Sequence, residues 1–413
     1  MKLFTSLSPS SHDIPPLLCN GNIYESNYDK ANILNNYFQS QTILQVPDNV
    51  NLSSSNAVEQ SLHDFDISID DVKDSIKMLK TGKATGPDSI NSYVLREIAH
   101  EIASPLRDLF SYSLRSGKVP TQWKLAHVCA VFKKADPQEV SNYRPISLLS
   151  VVSKVLERIL HKYMFNFYRD SEFFSPFQSG FIPKNSTVNQ LMSLFHSICL
   201  ALDEGKEVRA VFCDISKAFD RVWHEGLLFK LRQSGIDGRL LAWLRDYLCD
   251  RKQRVVLSGA TSDIVSIAAG VPQGSILGPL LFLVYINDIV TDIHSPIRLF
   301  ADDTTLYIEV DDPQRAADSI NADLAKIQSW ANSWLVTFNP LKTESLLFSR
   351  KTNSPAHPNL YFNDTPIQEV SSHKHLGVVF SNNCSWHDHI DTIKKKAWKR
   401  INLMRSFKFT LDR

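Results

Sequence analysis

The chain has 413 residues, 43% of them apolar, and balances 45 Lys and Arg against 44 Asp and Glu for a formal charge of +1. Such a length buries more than one core, so subdomains are expected rather than one compact ball. The near-neutral charge excludes an overall basic footprint of the nucleic-acid-binding kind, and no run of about 18 apolar residues offers a membrane span.

Cysteines stand at 19, 129, 199, 213, 249 and 384 with no CxxC pair. No cysteine and histidine spacing fits structural zinc, which points to a reducing compartment. The pairs His373/His375 and His387/His389 have no further ligands in view and are not read as a metal site. The apolar stretch Pro15-Pro16-Leu17-Leu18 is too short for a secretory signal. Cytoplasm or nucleus is therefore the expected location.

Residues 1–60 are polar, with Ser8-Pro9-Ser10-Ser11, Ser53-Ser54-Ser55 and one helical stretch from Asp29 to Phe38. A firm helix follows Ser68: Asp71 completes a capping box, and Val72, Ile76 and Leu79 share a face. Gly82-Lys83-Ala84-Thr85-Gly86-Pro87-Asp88-Ser89-Ile90 comes next, then Phe132-Lys133-Lys134 and Asn142-Tyr143-Arg144-Pro145-Ile146-Ser147-Leu148-Leu149. Lys133 and Arg144 flank a presumed hairpin. They are either solvated surface charges or the cationic partners that a triphosphate needs, Arg by its bidentate fork. Gln178-Ser179-Gly180-Phe181 follows.

Val208 to Ile215 reads VRAVFCDI, an apolar run expected as a buried strand with Asp214 at its C-terminal end. Ser216 to Asp220 is expected to open a helix, with Phe219 as a core side chain on its first turn. Gly270 to Pro279 holds three glycines and two prolines in ten residues, the mark of close backbone approach. Pro279 suits the first position of a helix through Leu280, Leu281, Leu283 and Val284.

Phe300-Ala301-Asp302-Asp303 lies between Ile297/Leu299 and Thr304–Ile308, a pattern for two strands joined by a tight turn. Asp-Asp is common in turns for backbone reasons alone. Asp214 changes the reading: if strand 208–214 pairs beside this hairpin, three carboxylates converge. Mutually repelling carboxylates suit hard cations, and such a set can clamp two Mg2+ ions for phosphoryl transfer. Lys342 falls in a loop between a helix at Ala316–Ala331 and a strand at Leu346-Leu347-Phe348. From Lys394 to Arg413, eight Lys or Arg stand against one Asp, interleaved with Trp398, Phe407 and Phe409. That is either a solvated helix face or a backbone-tracking groove with stacking platforms.

In this order, and with Asn339-Pro340-Leu341-Lys342-Thr343-Glu344 and His375-Leu376-Gly377-Val378 closing the series, the motifs from Leu79 to about Ile390 resemble a reverse transcriptase of the non-LTR retrotransposon (LINE-like) type. The resemblance implies an RNA-directed DNA polymerase that extends a 3′-hydroxyl with dNTPs on an RNA template, from a DNA or RNA primer. It implies two Mg2+ ions, with Mn2+ as a substitute, bound by Asp214 and Asp302, with Asp303 more peripheral and Ile215 among the metal-binding positions. Lys133 and Arg144 would then lie over the β- and γ-phosphates, and Phe219 under the sugar, excluding a 2′-hydroxyl. Gln273 and Gly274 would meet the incoming nucleotide and template base, and Lys342 would protonate pyrophosphate.

The implied fold class is α+β, a right-hand polymerase with an antiparallel palm sheet backed by helices. Fingers are expected at about 61–200 and 245–285, and the palm at about 201–244 and 286–384. A primer-supporting hairpin region is expected around the Asn363-Asp364 turn and Leu376, and the basic start of a thumb at 385–413. Residues 1–60 form an N-terminal extension. Ile182 replaces the family's frequent Arg after Gly-Phe, Thr85 a common Pro, and Ser89 a common Gly. These changes would weaken template or primer contacts and leave the metal site whole. The family usually carries an upstream endonuclease and a longer C-terminal region. A truncated, inactive remnant that at most binds RNA is therefore the other reading. A different palm polymerase is a third, with Phe219 arguing against a ribonucleotide product.

Overall fold

A computed structural model of the chain describes residues 14–19, 21–47, 60–63, 65–351 and 355–406. The Ser8–Ser11 and Ser53–Ser55 tracts, Phe407 and Phe409 lie outside the described residues. Two compact units emerge: Met1–Phe174 with Lys217–Ile286, and Ser175–Ser216 with Asn287–Arg413. Both mix helices with largely antiparallel sheet, so the class is α+β.

The first unit holds a sheet around strand Leu125–Phe132, which pairs antiparallel with Tyr143–Leu148 and parallel with Lys252–Leu257. Helix Asn27–Ser40, longer at both ends than the sequence pattern, starts at a Ser26 cap. Its Leu34 and Phe38 pack into one core with Val128, Tyr143 and Val255. Helix Ile69–Lys77 carries the capping box expected of Ser68 and Asp71.

Helix Leu277–Ile286 is buried on every face, which explains an apolar run without helical periodicity. It begins two residues before Pro279, which still falls in the first turn, where a missing N–H costs nothing. The buried carboxylate of Glu157 accepts hydrogen bonds from the Ile276 and Leu277 N–H groups at 2.7 and 3.4 Å, satisfying that helix start from inside. The helix expected from Ser216 does not form. Lys217 adopts φ +52°, only a short 3-10 turn spans Ala218–Arg221, and the α-helix opens at His224.

The second unit is organised on a five-stranded sheet. Its order is Gln368–Glu369, Glu344–Phe348, Glu207–Asp214, Asp303–Val310, Ile297–Phe300, and only the first pairing is parallel. The central strand Glu207–Asp214 is buried along nearly its whole length, as its unbroken apolar run requires. Helices Thr187–Asp203 and Pro313–Ser333 belong to the same unit. Asn363 and Asp364, both at positive φ, form a two-residue hairpin turn. Leu376 and Gly377 turn a second hairpin, Ser372–His375 with Val378–Ser381. The described part of the basic stretch lies in helix His387–Ser406, exposed over most of its length. All six cysteines are free, and no described helix is long and apolar enough to cross a membrane.

Asp71 gives a pH test of the first unit. Burial pushes its carboxyl pKa up, but hydrogen bonds from Lys162, Ser68 and Tyr163 outweigh that and hold it below the ordinary value. A depressed folded pKa gives stability that is present above about pH 4 and lost as pH falls. Asp71→Asn should cost about 1–2 kcal/mol at pH 7. In denaturant unfolding at pH 7 and pH 3 the gap to wild type should shrink at the lower pH. A gap unchanged by pH would remove the charge of Asp71 from this account.

Candidate active site

The acidic hairpin is held in register by its own ladder. Strands Ile297–Phe300 and Asp303–Val310 pair so that Phe300 faces Asp303, leaving Ala301 and Asp302 as the turn. Ala301 sits at φ +55°, unusual for a residue with a Cβ. Such a conformation costs about 1–2 kcal/mol and must be held by its surroundings. On its other edge, Asp303 lies directly opposite Asp214. Three carboxylates therefore gather at one end of the sheet.

Their mutual repulsion is visible at Asp303. Its side chain reaches solvent, yet protein crowds it. The loss of surrounding water, then the charges of Asp302 and Asp214, push its pKa up to about 6. The chain just after Asp214 is pinned as well. Asn339 N–H donates to the Asp214 carbonyl at 2.9 Å and Ser216 N–H to the Thr337 carbonyl at 2.8 Å. This bridge places Ile215 opposite Phe338 and consumes neither main-chain polar group of Ile215.

Asn339 also builds the loop that carries Lys342. Its side-chain oxygen accepts from Leu341 N–H at 3.1 Å, and its carbonyl accepts from Lys342 and Thr343 N–H at 3.1 and 3.0 Å. The Lys342 ammonium ends 3.5 Å from the Asp214 carboxylate, with both side chains well exposed. So open a pair adds at most about 1 kcal/mol, and its interest is placement. Nothing in the sequence predicted this contact. Two residues later, Glu344 meets His373 Nδ1 at 2.6 Å, and the His373 ring stacks on Phe212 at 3.9 Å. His373 is thereby accounted for structurally.

The donor chemistry of the three carboxylates fits a hard divalent cation: oxygen ligands only, and excess negative charge at Asp303 to be offset. Among the described residues no group of three or more His, Cys, Asp or Glu side chains is arranged so that it could hold a metal ion.

In the first unit, the residues expected on the nucleotide side are linked to one another. Val271 N–H donates to the Phe219 carbonyl and Gly270 N–H to the Val222 carbonyl, both at 2.8 Å. Gly270, at φ +92°, has no room for a Cβ because the Phe219 and Asp220 carbonyl oxygens lie against it. The Gln273 carbonyl accepts from Ser147 N–H at 2.7 Å, tying this loop to the strand that carries the exposed Arg144. Phe219 is half-buried and stacks on Phe282, with ring centroids 4.8 Å apart.

Asp220, which sequence reasoning passed over, accepts from the Gln273 side-chain amide at 2.8 Å. Burial pushes its pKa up, while that hydrogen bond and the charges of Lys217 and Lys133 pull it down. Lys133 itself is exposed.

A family model described as "Reverse transcriptase (RNA-dependent DNA polymerase)" matches residues 132–380, more than half of the chain. The chain is 28% identical over 407 residues to the "Probable RNA-directed DNA polymerase from transposon BS" of Drosophila melanogaster, covering 94% of this chain and 45% of that protein. It is 31% identical over 337 residues to the corresponding protein "from transposon X-element" of the same organism, covering 80% and 37%. It is 30% identical over 349 residues to the "RNA-directed DNA polymerase from mobile element jockey", covering 82% and 38%. The chain thus spans less than half the length of these relatives.

The glycines of the first unit separate strain from collision. Gly259, at φ +84°, has open space around it, whereas a Cβ on Gly274, at φ +125°, would run into the Ser147 carbonyl oxygen. Gly259→Ala is expected to cost about 1 kcal/mol through its backbone alone. Gly274→Ala should cost over about 2 kcal/mol. Equal losses in urea unfolding would contradict the backbone contact at Gly274.

Proposed function

The chain belongs to the reverse transcriptase family, of the non-LTR retrotransposon (LINE-like) type, and on that footing we propose that it is an RNA-directed DNA polymerase. It extends the 3′-hydroxyl of a DNA or RNA primer with dNTPs on an RNA template. The observation that carries this reading is the register of Asp303 against Asp214, which with Asp302 gathers three acids at one sheet end. Asp214, Asp302 and Asp303, with the main chain at Ile215, would hold two Mg2+ ions, or Mn2+ in their place. Bound there, the ions supply activation of the attacking hydroxyl and offset charge on the leaving pyrophosphate.

The remaining roles fall to side chains. Lys342, paired with Asp214 at 3.5 Å, is the proton donor to pyrophosphate. Arg144 and Lys133 bind the triphosphate, for which an exposed guanidinium fork and an exposed ammonium are suited. Gln273 and Gly274 meet the nucleotide base pair. Phe219 excludes a ribose 2′-hydroxyl by bulk, its ring braced by Phe282. In the right-hand description, the palm covers about 201–244 and 286–384. The fingers draw on about 61–200 and 245–285, and helix His387–Ser406 begins a thumb.

Primer extension on an RNA template with Mg2+ and dNTPs tests the proposal. Asp302→Asn should abolish extension, a loss beyond about a thousandfold for a group acting on both ions. Extension at the wild-type rate would refute the metal assignment. Phe219→Ala should admit ribonucleotides with DNA synthesis largely kept, and unchanged sugar discrimination would remove Phe219 as the gate.

A further inference from the structure

Gln178 is buried, 5% exposed, in the segment Gln178-Ser179-Gly180-Phe181 of the second unit. Its side-chain oxygen accepts two backbone N–H groups, from Gly180 at 2.7 Å and from Ala301 at 3.0 Å. The main chain on either side follows the hairpin edge: Ser179 N–H donates to the Leu299 carbonyl and Leu299 N–H to the Phe177 carbonyl, both at 2.9 Å. Gly180 is pressed so close that a Cβ there would overlap the Ala301 backbone nitrogen.

Ala301 is the residue of the acidic turn at positive φ, and Asp302 and Asp303 follow it directly. A turn with positive φ at its first central position ordinarily takes glycine, so an alanine there needs an external hold. The amide oxygen of Gln178 accepts the Ala301 N–H and so fixes the peptide plane on one side of that φ rotation.

We propose that Gln178 is a positioning residue that locks Ala301 in its left-handed conformation and thereby sets the direction of Asp302 and Asp303. Gln178 touches neither substrate nor metal in this scheme. The proposal rests on the reading of those acids as metal ligands. Gly180 is its steric counterpart, since only a bare Cα lets the two backbones approach.

Hydrogen exchange and metal binding on the whole chain test this. Gln178→Met keeps the side-chain length and removes the acceptor, and Gln178→Glu restores an acceptor. In Gln178→Met, exchange of the Ala301 amide should quicken about tenfold or more while strand 207–214 keeps its protection. Binding of Mn2+ alone, followed by electron paramagnetic resonance, should weaken by about tenfold, as expected when support behind a ligand is lost. Gln178→Glu should recover Ala301 protection. Ala301→Gly in the Gln178→Met background should recover part of the Mn2+ affinity, because glycine accepts positive φ unaided.

Should Gln178→Met not fold, Gln178→Asn, which shortens the reach by one methylene, carries the same measurements. Unchanged Ala301 exchange, or quickened exchange with unchanged Mn2+ affinity, would overturn the proposal. Failure of the metal reading itself shows separately, as wild-type extension by Asp302→Asn with the exchange effect intact.

Discussion

Asp303 faces Asp214 across an antiparallel ladder, and like charges placed directly opposite destabilise a sheet. Asp302, at the adjoining turn, adds a third negative group. Loss of surrounding water, and then these two charges, raise the pKa of Asp303. Folding places the three acids together at a cost, and on the proposed reading a cation would offset it.

The surroundings keep those acids from escaping one another. The main chain after Asp214 is tied through Asn339 and Thr337. Phe300 closes the hairpin against Asp303, and the turn between them is tied to Gln178. Lys342 is brought to Asp214 by a turn that Asn339 builds. Within the first unit the same device recurs as backbone against backbone. Gly270 and Gly274 allow one loop to lie on the carbonyls of Phe219, Asp220 and Ser147. Rigid support of this kind lets a site hold its geometry without reorganising.

Much of this was legible in the sequence, for identifiable reasons. The apolar run before Asp214 and the strand–turn–strand pattern around Phe300–Asp303 are local signals, and all three strands formed where expected. The Ser68 capping box is equally local. The helix expected at Ser216–Asp220 failed because Lys217 takes a left-handed conformation, which no propensity announces. Pro279 was placed at the first helical position, but the buried Glu157 carboxylate satisfies Ile276 and Leu277 and lets the helix start earlier. Gln178, Asp220 and Asn339 stood inside noted motifs, yet their partners are distant in sequence or lie in backbone groups. A one-dimensional pattern shows that such a residue is there and not what it holds.

The most direct test of the central claim is the titration of the Asp303 carboxyl carbon by NMR, with and without Mg2+. The account expects a midpoint near 6 in the metal-free protein and a clear downward move when Mg2+ is added. A midpoint in the ordinary aspartate range near 4, indifferent to Mg2+, would contradict it.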